Sequence, residues 1–302
     1  MLFPYDIVTI NANGLRNNEK RFKLFNQLRN KGHIVALQET HSKPGDERFW
    51  TAALGDGEMW FSHGSPTARG VSIFISSKVD LKVEGSFSDN DGRMVAVMVN
   101  LNGRIIGITS IYAPNLSFNS IDKISHESFL EDLIRQLEDL KLQYGLSEFI
   151  ILGDFNMISD KQVDAHGGNP TIYPRSLALF ETLKNQFEVS DIVRTLNPGK
   201  KLFTFSPGGL NTRNIFRRLD YVLIPEIWKC EAQNTDIIPA VHSDHRIIRV
   251  IMCKSESRKN NGLWRHNDLI NKDESYCQEF NTLFPSWVEE ANTLDDPRSK
   301  WE

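Results

Sequence analysis

The 302-residue chain holds three cysteines, Cys230, Cys253 and Cys277, none of them in a Cys-x-x-Cys pair. Scattered and odd in number, they suggest neither a disulfide framework nor a structural zinc site, and a reducing compartment fits. Long apolar runs are missing too. No stretch approaches the ~20 consecutive apolar residues that cross a bilayer, so no membrane partner is expected. The opening MLFPYDIVTI lacks the basic flank and small-residue cleavage site of a secretory signal, which makes an intracellular location the expectation. Nor is there an excess of positive charge: the formal net charge of -4 argues against indiscriminate polyanion binding and leaves such contacts to local basic groups.

What is present is an ordinary globular composition, in a chain long enough for one large domain or two smaller ones. Residues 5–11 read as a strand and residues 19–31 as a helix with Phe22, Phe25 and Leu28 inward and Gly32 as its stop. A strand over 34–37 follows, ending in Gln38, Glu39 and Thr40. Short β segments are predicted at 59–62, 71–76, 81–87, 94–101 and 104–112, the last two joined by the hairpin signal Asn102-Gly103. A long helix over 121–143 turns Ile124, Phe129, Leu130, Leu133, Leu137 and Leu140 inward and stops at Gly145. After the strand in FIILGDFN (149–156) come a polar loop (158–174), a helix (175–187), and strands at 201–206 and 216–224 joined by PGGLNTRN. The final strands are 236–240 and 246–252. Composition turns polar at CKSESRKNNGLW, which divides the chain into a domain over 1–253 and an extension over 254–302. In that extension Tyr276, Phe280, Leu283, Phe284, Trp287 and Val288 keep a helical spacing that Pro285 is expected to kink or interrupt. Its apolar face needs a partner, and the chain is expected to be the front part of a longer polypeptide.

Polar residues collect where predicted strands end. In FIILGDFN, continued strand geometry would turn Asp154 and Asn156 to one face, while Gly153 permits close approach of backbone or phosphate; a plain turn explains the same residues. Asn11 and Asn13 in NANG, Glu39 in LQET, Tyr112 in IYAPN, Asp220 in RRLDY, and Ser243, Asp244 and His245 in HSDHR occupy similar positions. Each alone has an ordinary reading as a cap, a solvated strand end or a satisfied core phenol.

Taken in order, NANGL, LQETH, IYAPN, GDFN, RLDYVL and SDHR resemble the endonuclease/exonuclease/phosphatase superfamily over roughly residues 5–252. Within it they look like the apurinic-type endonuclease domain of LINE-type, non-long-terminal-repeat retrotransposons. GLWRHNDLI resembles the region that leads on to their reverse transcriptase. The resemblance implies an α/β (α+β) fold, a four-layer α/β/β/α sandwich of two packed mixed sheets flanked by helices. It implies a Mg²⁺-dependent endonuclease, with Mn²⁺ as a substitute, that nicks double-stranded DNA in the nucleus and leaves a 3′-hydroxyl to prime reverse transcription of the element's RNA. Element RNA and the reverse transcriptase region are the further implied partners.

Residue by residue, the resemblance makes Glu39 the principal metal ligand with Asn11 beside it, and Asp154 the group that aims or deprotonates water. Asn156 and Tyr112 would hold the phosphate, His245 would donate to it with Asp220 as its partner, and Asp244 would contact metal, water or its neighbours. DNA contacts are expected from Asn13, Thr204, Arg213, Arg217, Arg218 and Ser243, and backbone contacts from Arg16, Lys20, Lys23 and Lys200-Lys201. Repair relatives often carry an aromatic residue where Arg217 stands, which weakens an abasic-site role; Phe205 and Leu219 remain as apolar wall. A guanidinium suits phosphate or minor-groove contact. The alternatives are an abasic-site repair endonuclease, a phosphatase of small phosphoesters and a non-catalytic DNA-binding module.

Overall fold

The computed structural model describes residues 4–29, 31–117, 119–208, 214–252 and 274–292, within two compact units, Met1–Ser255 and Glu256–Glu302. In the first unit the apolar run IVTIN forms β1 (Ile7–Asn11), fully buried and paired in parallel with β2 (Ile34–Gln38). Parallel neighbours require a crossover, supplied here by α1 (Asn18–Leu28), whose start is capped by the Asn17 side chain. After α2 (Glu47–Leu54) come the antiparallel strands β3 (Gly57–Ser62) and β4 (Val71–Ser76). β5 (Lys82–Ser88), β6 (Met94–Leu101) and β7 (Arg104–Tyr112) form a meander. Asn102 and Gly103 turn its second corner with φ of 53° and 88°, the left-handed pair that a two-residue hairpin requires.

A second crossover, α3 (Ser120–Tyr144), ends at left-handed Gly145 and feeds β8 (Glu148–Asp154), parallel to β7. β9 (Ala165–His166), α4 (Pro174–Gln186), β10 (Val189–Asp191) and α5 (Ile192–Leu196) follow. β11 (Phe216–Arg217), β12 (Asp220–Pro225), a 3-10 turn (Glu226–Glu231), β13 (Ala232–Pro239) and β14 (Arg246–Met252) complete the unit.

Two mixed six-stranded sheets result, ordered β13-β14-β1-β2-β4-β3 and β10-β12-β8-β7-β6-β5, beside a small β11-β9 ribbon. Three apolar cores define four layers. One, with Ile7, Ile73, Val97, Ile108, Ile150 and Val222, lies between the sheets. A second packs α3 and α4 on the second sheet through Leu130, Leu137, Phe180 and Phe149, and a third packs α1 and α2 on the first through Leu24, Phe25 and Trp50. Each fully buried side chain of this size contributes about 1.5–3 kcal/mol. The expected α/β/β/α sandwich is therefore what forms.

Both parallel pairs finish at one end of the sandwich, β1 with β2 at Asn11 and Gln38, and β7 with β8 at Tyr112 and Asp154. Antiparallel β12 and β14 begin at that same end, Asp220 lying opposite Asp154. A buried polar tie just below fixes how the sheets face each other: Thr9 Oγ1 donates to Gln38 Oε1 (3.2 Å), and Gln38 Nε2 donates across to Ser110 Oγ (2.9 Å).

Several local expectations need correction. α1 ends at Leu28, before Gly32, and both Phe22 and Ile124 point to solvent, Phe22 because it lies on the flank of the buried stripe of α1 and Ile124 because it lies on the face of α3 opposite its buried stripe. No strand spans 201–206, where only Phe205 bridges Arg217 and His245, and the predicted strand 216–224 is broken between β11 and β12. Helices α2 and α5 and strands β9 and β10 are too short for a clear period. Gly153, at φ 135°, leaves room for the neighbouring strand and not for a phosphate: a Cβ there would lie 2.1 Å from the Ile111 carbonyl oxygen. In the second unit α6 (Glu274–Asn292) continues through Pro285. The composition break at 253–264 and the side chains of Tyr276 and Trp287 lie outside the described residues.

Candidate active site

Asp154 closes β8 and stands in register between Tyr112 on one side and Asp220 on the other. Asn11 reaches it from the facing sheet. Its Nδ2 donates to Asp154 Oδ2 (2.9 Å) and to Glu39 Oε1 (3.0 Å), so one amide joins carboxylates carried by different sheets. His245 enters just ahead of β14. Its Nδ1 donates to Asp220 Oδ2 (2.8 Å), its Nε2 lies 3.8 Å from Asp154 Oδ2, and Phe205 packs on the ring at 4.9 Å between centroids.

The turn after Asp154 is both a turn and a site. Asn156 adopts φ 50°, and its N–H donates to Asp154 Oδ1 (2.8 Å), closing an Asx turn, while its Nδ2 donates to Ala113 O (2.8 Å). Phe155 turns away into the core against Phe180 and Tyr221. Fully buried His126 of α3 holds the same turn: its Nε2 donates to Phe155 O (2.9 Å), which leaves Nδ1 to accept from Ser176 of α4 (3.2 Å). Burial lowers the His126 pKa, in keeping with that neutral tautomer. Glu39 and His41 also have positive φ, 48° and 55°. A non-glycine residue held there costs about 1–3 kcal/mol, and such strain gathers at functional sites. Backbone pairing holds it in place, Ala12, Gly14 and Leu15 N–H donating to the carbonyls of Gln38, Glu39 and Thr40.

The electrostatics separate the two acids. Burial alone would raise Glu39, but His41, Asn11 and Tyr112 hydrogen-bond it and His245 adds positive charge, so it falls to about 2. Asp154 moves the other way, pushed up by full burial and then by the negative charge of Asp220. Burial opposes the charged form of His245, yet Asp220, Asp154 and Asp244 outweigh it and raise the ring to about 10. The site thus holds an ionised Glu39, a cationic His245 and an Asp154 poised to take a proton.

Glu39, Asp154, Asn156, Asp244, His245 and Asn13 open on one cavity of about 700 Å³. Asn11, Asp220 and Tyr112 are buried and do not line it: Tyr112 packs beside Glu39, with burial and that carboxylate raising its phenol and Arg93 lying 5.2 Å over its ring. Asn13 Nδ2 donates to Asp244 Oδ1 (2.9 Å). The Ser243 hydroxyl is engaged internally, donating to Asn11 O (2.8 Å) and accepting from His245 N (3.1 Å).

Two expected DNA contacts are structural instead. Thr204 is fully buried, and its Oγ1 accepts from the backbone N–H groups of Leu219 and Asp220, fixing the approach to the His245 partner. Arg218 is fully buried as well, bonded to Asp164 through Nε (2.7 Å) and to Asp191 through Nη1 (2.6 Å), over the Tyr221 ring. Replacing Arg218 with methionine takes the cation from Asp191 Oδ2 and leaves Asp164 with Arg194 alone, and is expected to cost about 3 kcal/mol, read as a lower urea midpoint with an unchanged slope. Arg213 lies outside the described residues. Arg217 does line the cavity, its Nη1 donating to His166 O (2.9 Å) across the β9–β11 ribbon. Arg16 pairs with Asp46, Lys23 with Glu19, and Lys20 Nζ donates to Asn13 O (2.6 Å). Lys200 Nζ donates to Asn197 Oδ1 (3.2 Å).

Arg93, His126 and Asp164 were not singled out by the sequence, since each is an isolated polar residue in an otherwise unremarkable segment. His41 sits inside LQETH, with its Nε2 3.6 Å from Glu39 Oε2.

The donor set fits a hard divalent cation. Glu39 is ionised at any ordinary pH, and Glu39, Asp154 and Asp244 line the cavity. By distance alone Asp154, Asp220 and His245 also form a possible metal group. The protonated ring, however, offers no lone pair while Nδ1 donates to Asp220, so Glu39 is the better anchor.

The profile of the Endonuclease/Exonuclease/phosphatase family matches residues 8–245. A curated relative, the Transposon TX1 uncharacterized 149 kDa protein of Xenopus laevis, is 28% identical over 286 residues, 93% of this chain. The chain spans 20% of the length of that relative. Among solved structures, the AP endonuclease LMAP of Leishmania major superposes with a TM-score of 0.69 at 19% identity, covering 82% of this chain and 87% of its own. The 3'-5' exonuclease NExo of Neisseria meningitidis gives 0.66 at 18% identity, covering 82% and 99%. These likenesses establish the shared fold.

Proposed function

The chain belongs to the endonuclease/exonuclease/phosphatase family, and from that premise we propose that it is a Mg²⁺-dependent endonuclease of a LINE-type retrotransposon, nicking one strand of chromosomal DNA in the nucleus. The observation that carries the reading is the Asn11 amide joining Glu39 to Asp154, with cationic His245 beside Asp154. In the proposed reaction water adds to the phosphorus, the bond to the 3′ oxygen breaks, and that oxygen takes a proton from solvent, leaving a 3′-hydroxyl and a 5′-phosphate. Asp154 accepts the proton of the attacking water, for which its raised pKa suits it. His245, held by Asp220, presents Nε2–H to a phosphate oxygen, and Asn156 steadies the same group through its remaining amide N–H.

Glu39 would hold Mg²⁺, with Mn²⁺ as a substitute, and the bound cation would supply neutralisation of the charge that develops in the reaction. The transposon relative supports a role within a larger polyprotein, in which the 3′-hydroxyl primes reverse transcription of element RNA, with residues 254–302 leading toward that downstream region. Arg217 in the cavity wall supports intact DNA over an abasic site as substrate. Supercoiled plasmid incubated with the protein and Mg²⁺ is expected to relax to the nicked form, and chelation with EDTA to stop it. Relaxation that persists in EDTA, or preference for a single defined abasic duplex or an inositol phosphate over intact DNA, overturns the assignment.

A further inference from the structure

The loop that carries Glu39 runs into a chain of polar side chains that leads away from the cavity. Thr40 and Ser42 are both fully buried, and Thr40 Oγ1 donates to Ser42 Oγ (3.1 Å) while accepting from the Ser42 N–H (3.3 Å). Ser42 Oγ meets Nδ1 of His63 (3.0 Å), the residue after β3, and His63 Nε2 meets Oε1 of Glu47 (2.9 Å) at the start of α2. Counting protons sets the direction. Glu47, whose carboxyl is held below the usual range first by its own backbone N–H, only accepts. Nε2–H is therefore given to Glu47, and Nδ1 of the neutral ring accepts the single Ser42 proton. Phe61 stacks on the imidazole at 5.4 Å between centroids and 18° between planes, which keeps the ring in that orientation. The order Ser-His-Glu matches that of an activated nucleophile, but fully buried Ser42 meets no substrate.

We propose that His63 is a positioning residue for the metal site: through Ser42 and Thr40 it holds Glu39 in the conformation that receives the cation. The inference rests on the nuclease reading, in which Glu39 anchors the metal. Glu39 and His41, on either side of Thr40, both have positive φ, so the loop stores strain that an unclamped chain would relax. Thr40 is the clamped residue between them. Its N–H donates to Gly70 O (2.9 Å), its hydroxyl is tied to Ser42, and a Cβ at Gly70 would lie 2.5 Å from that hydroxyl. Without His63 the buried Ser42 proton loses its acceptor, and the hydroxyl pair must turn to find another. The Asn11 amide still reaches Glu39 Oε1, so what is lost is the aim of the carboxylate and not its presence. Glu47 is close to half exposed, and its pair with His63 adds little by itself; its part is to fix the tautomer.

Mn²⁺ binding to the full chain without DNA, followed by loss of the free-ion paramagnetic resonance signal, tests the link with no turnover involved. His63→Ala is expected to weaken binding by about tenfold. His63→Asn, whose Oδ1 replaces Nδ1 as the acceptor for Ser42, is expected to recover most of that loss. Thr40→Val, which cuts the last link at nearly constant volume, is expected to repeat it. In plasmid nicking, His63→Ala is expected to raise the Mg²⁺ concentration for half-maximal rate by about tenfold and to leave the rate at saturating Mg²⁺ within about twofold. Mn²⁺ binding unchanged in His63→Ala and Thr40→Val, or an equal loss in His63→Asn and His63→Ala, overturns the inference while wild-type nicking keeps the nuclease reading intact. Wild type that binds Mn²⁺ but does not nick overturns the nuclease reading, and the binding series alone then decides the role of His63.

Discussion

Replacing Asp154 with alanine is expected to cut plasmid nicking by about 10²–10⁴-fold, the range associated with a positioned acid–base group. The conservative exchange is the sharper test. Asn at 154 keeps the size of the side chain and an oxygen for the Asn156 N–H, but it takes no proton from water. If Asp154 acts as the base, Asp154→Asn falls as far as Asp154→Ala; if it only aims the water, much of the rate survives. Stability supplies the control. Because burial and Asp220 raise the folded-state pKa of Asp154 above its unfolded value, its ionised form opposes folding at neutral pH. Loss of activity in Asp154→Asn is therefore expected without a matching fall in the urea midpoint. A parallel collapse of both would assign Asp154 to the scaffold.

The sandwich was legible because its long elements obey one period each. β6 and β7 with their Asn-Gly corner, α3 with its glycine stop, and β14 fall where the pattern places them, within a residue. The site was legible for a different reason. Strand ends seldom carry Asn, Asp, Glu or His in such number, and the two parallel pairs bring Asn11, Glu39, Tyr112 and Asp154 to one end. Which of those residues face the cavity could not be read from spacing. Asn156 reaches it through a left-handed turn and not by strand alternation, and Asp220 points at a histidine 25 positions away. Arg218 misled because adjacent arginines look equally exposed in a sequence. Only its pairing with Asp164 and Asp191, from segments with no visible period, makes one buried while Arg217 stays at the cavity.

The division between structural and chemical polar groups has an energetic basis. Buried Arg218 has its charge matched by two carboxylates, as buried charges require. At the active site the matching is incomplete: Asp154 and Asp220 share one histidine, and Asp220 Oδ1 has no hydrogen-bond partner within the described residues. The excess negative charge raises Asp154 and His245 together. Asp220, out of reach of the cavity, thus bears on the protonation of both groups that line it, second to burial at Asp154 and together with Asp154 and Asp244 at His245.

Asp220→Asn is consequently expected to move two titrations in the same direction. In metal-free wild-type protein His245 should titrate near 10, where Asp220, Asp154 and Asp244 overcome its burial. The folded value exceeds the unfolded one, so the pairing contributes full stability below about 6.5 and loses it as pH rises toward 10. Without the Asp220 charge, burial weighs more heavily, the imidazole pKa falls, and the stability lost in alkali is lost at lower pH. Asp154, freed from its negative neighbour, also falls toward the ordinary aspartate range. The acid limb of nicking follows Asp154 and the alkaline limb follows His245, so the whole bell is expected to shift to lower pH. Its maximum is expected to drop by about 10²-fold or more, because the oriented cationic donor is weakened. Imidazole NMR titration in EDTA and a pH–rate profile in Mg²⁺ measure the two shifts separately. Limbs that move apart, or a His245 titration unchanged by the substitution, would break the proposed link from Asp220 through His245 to Asp154.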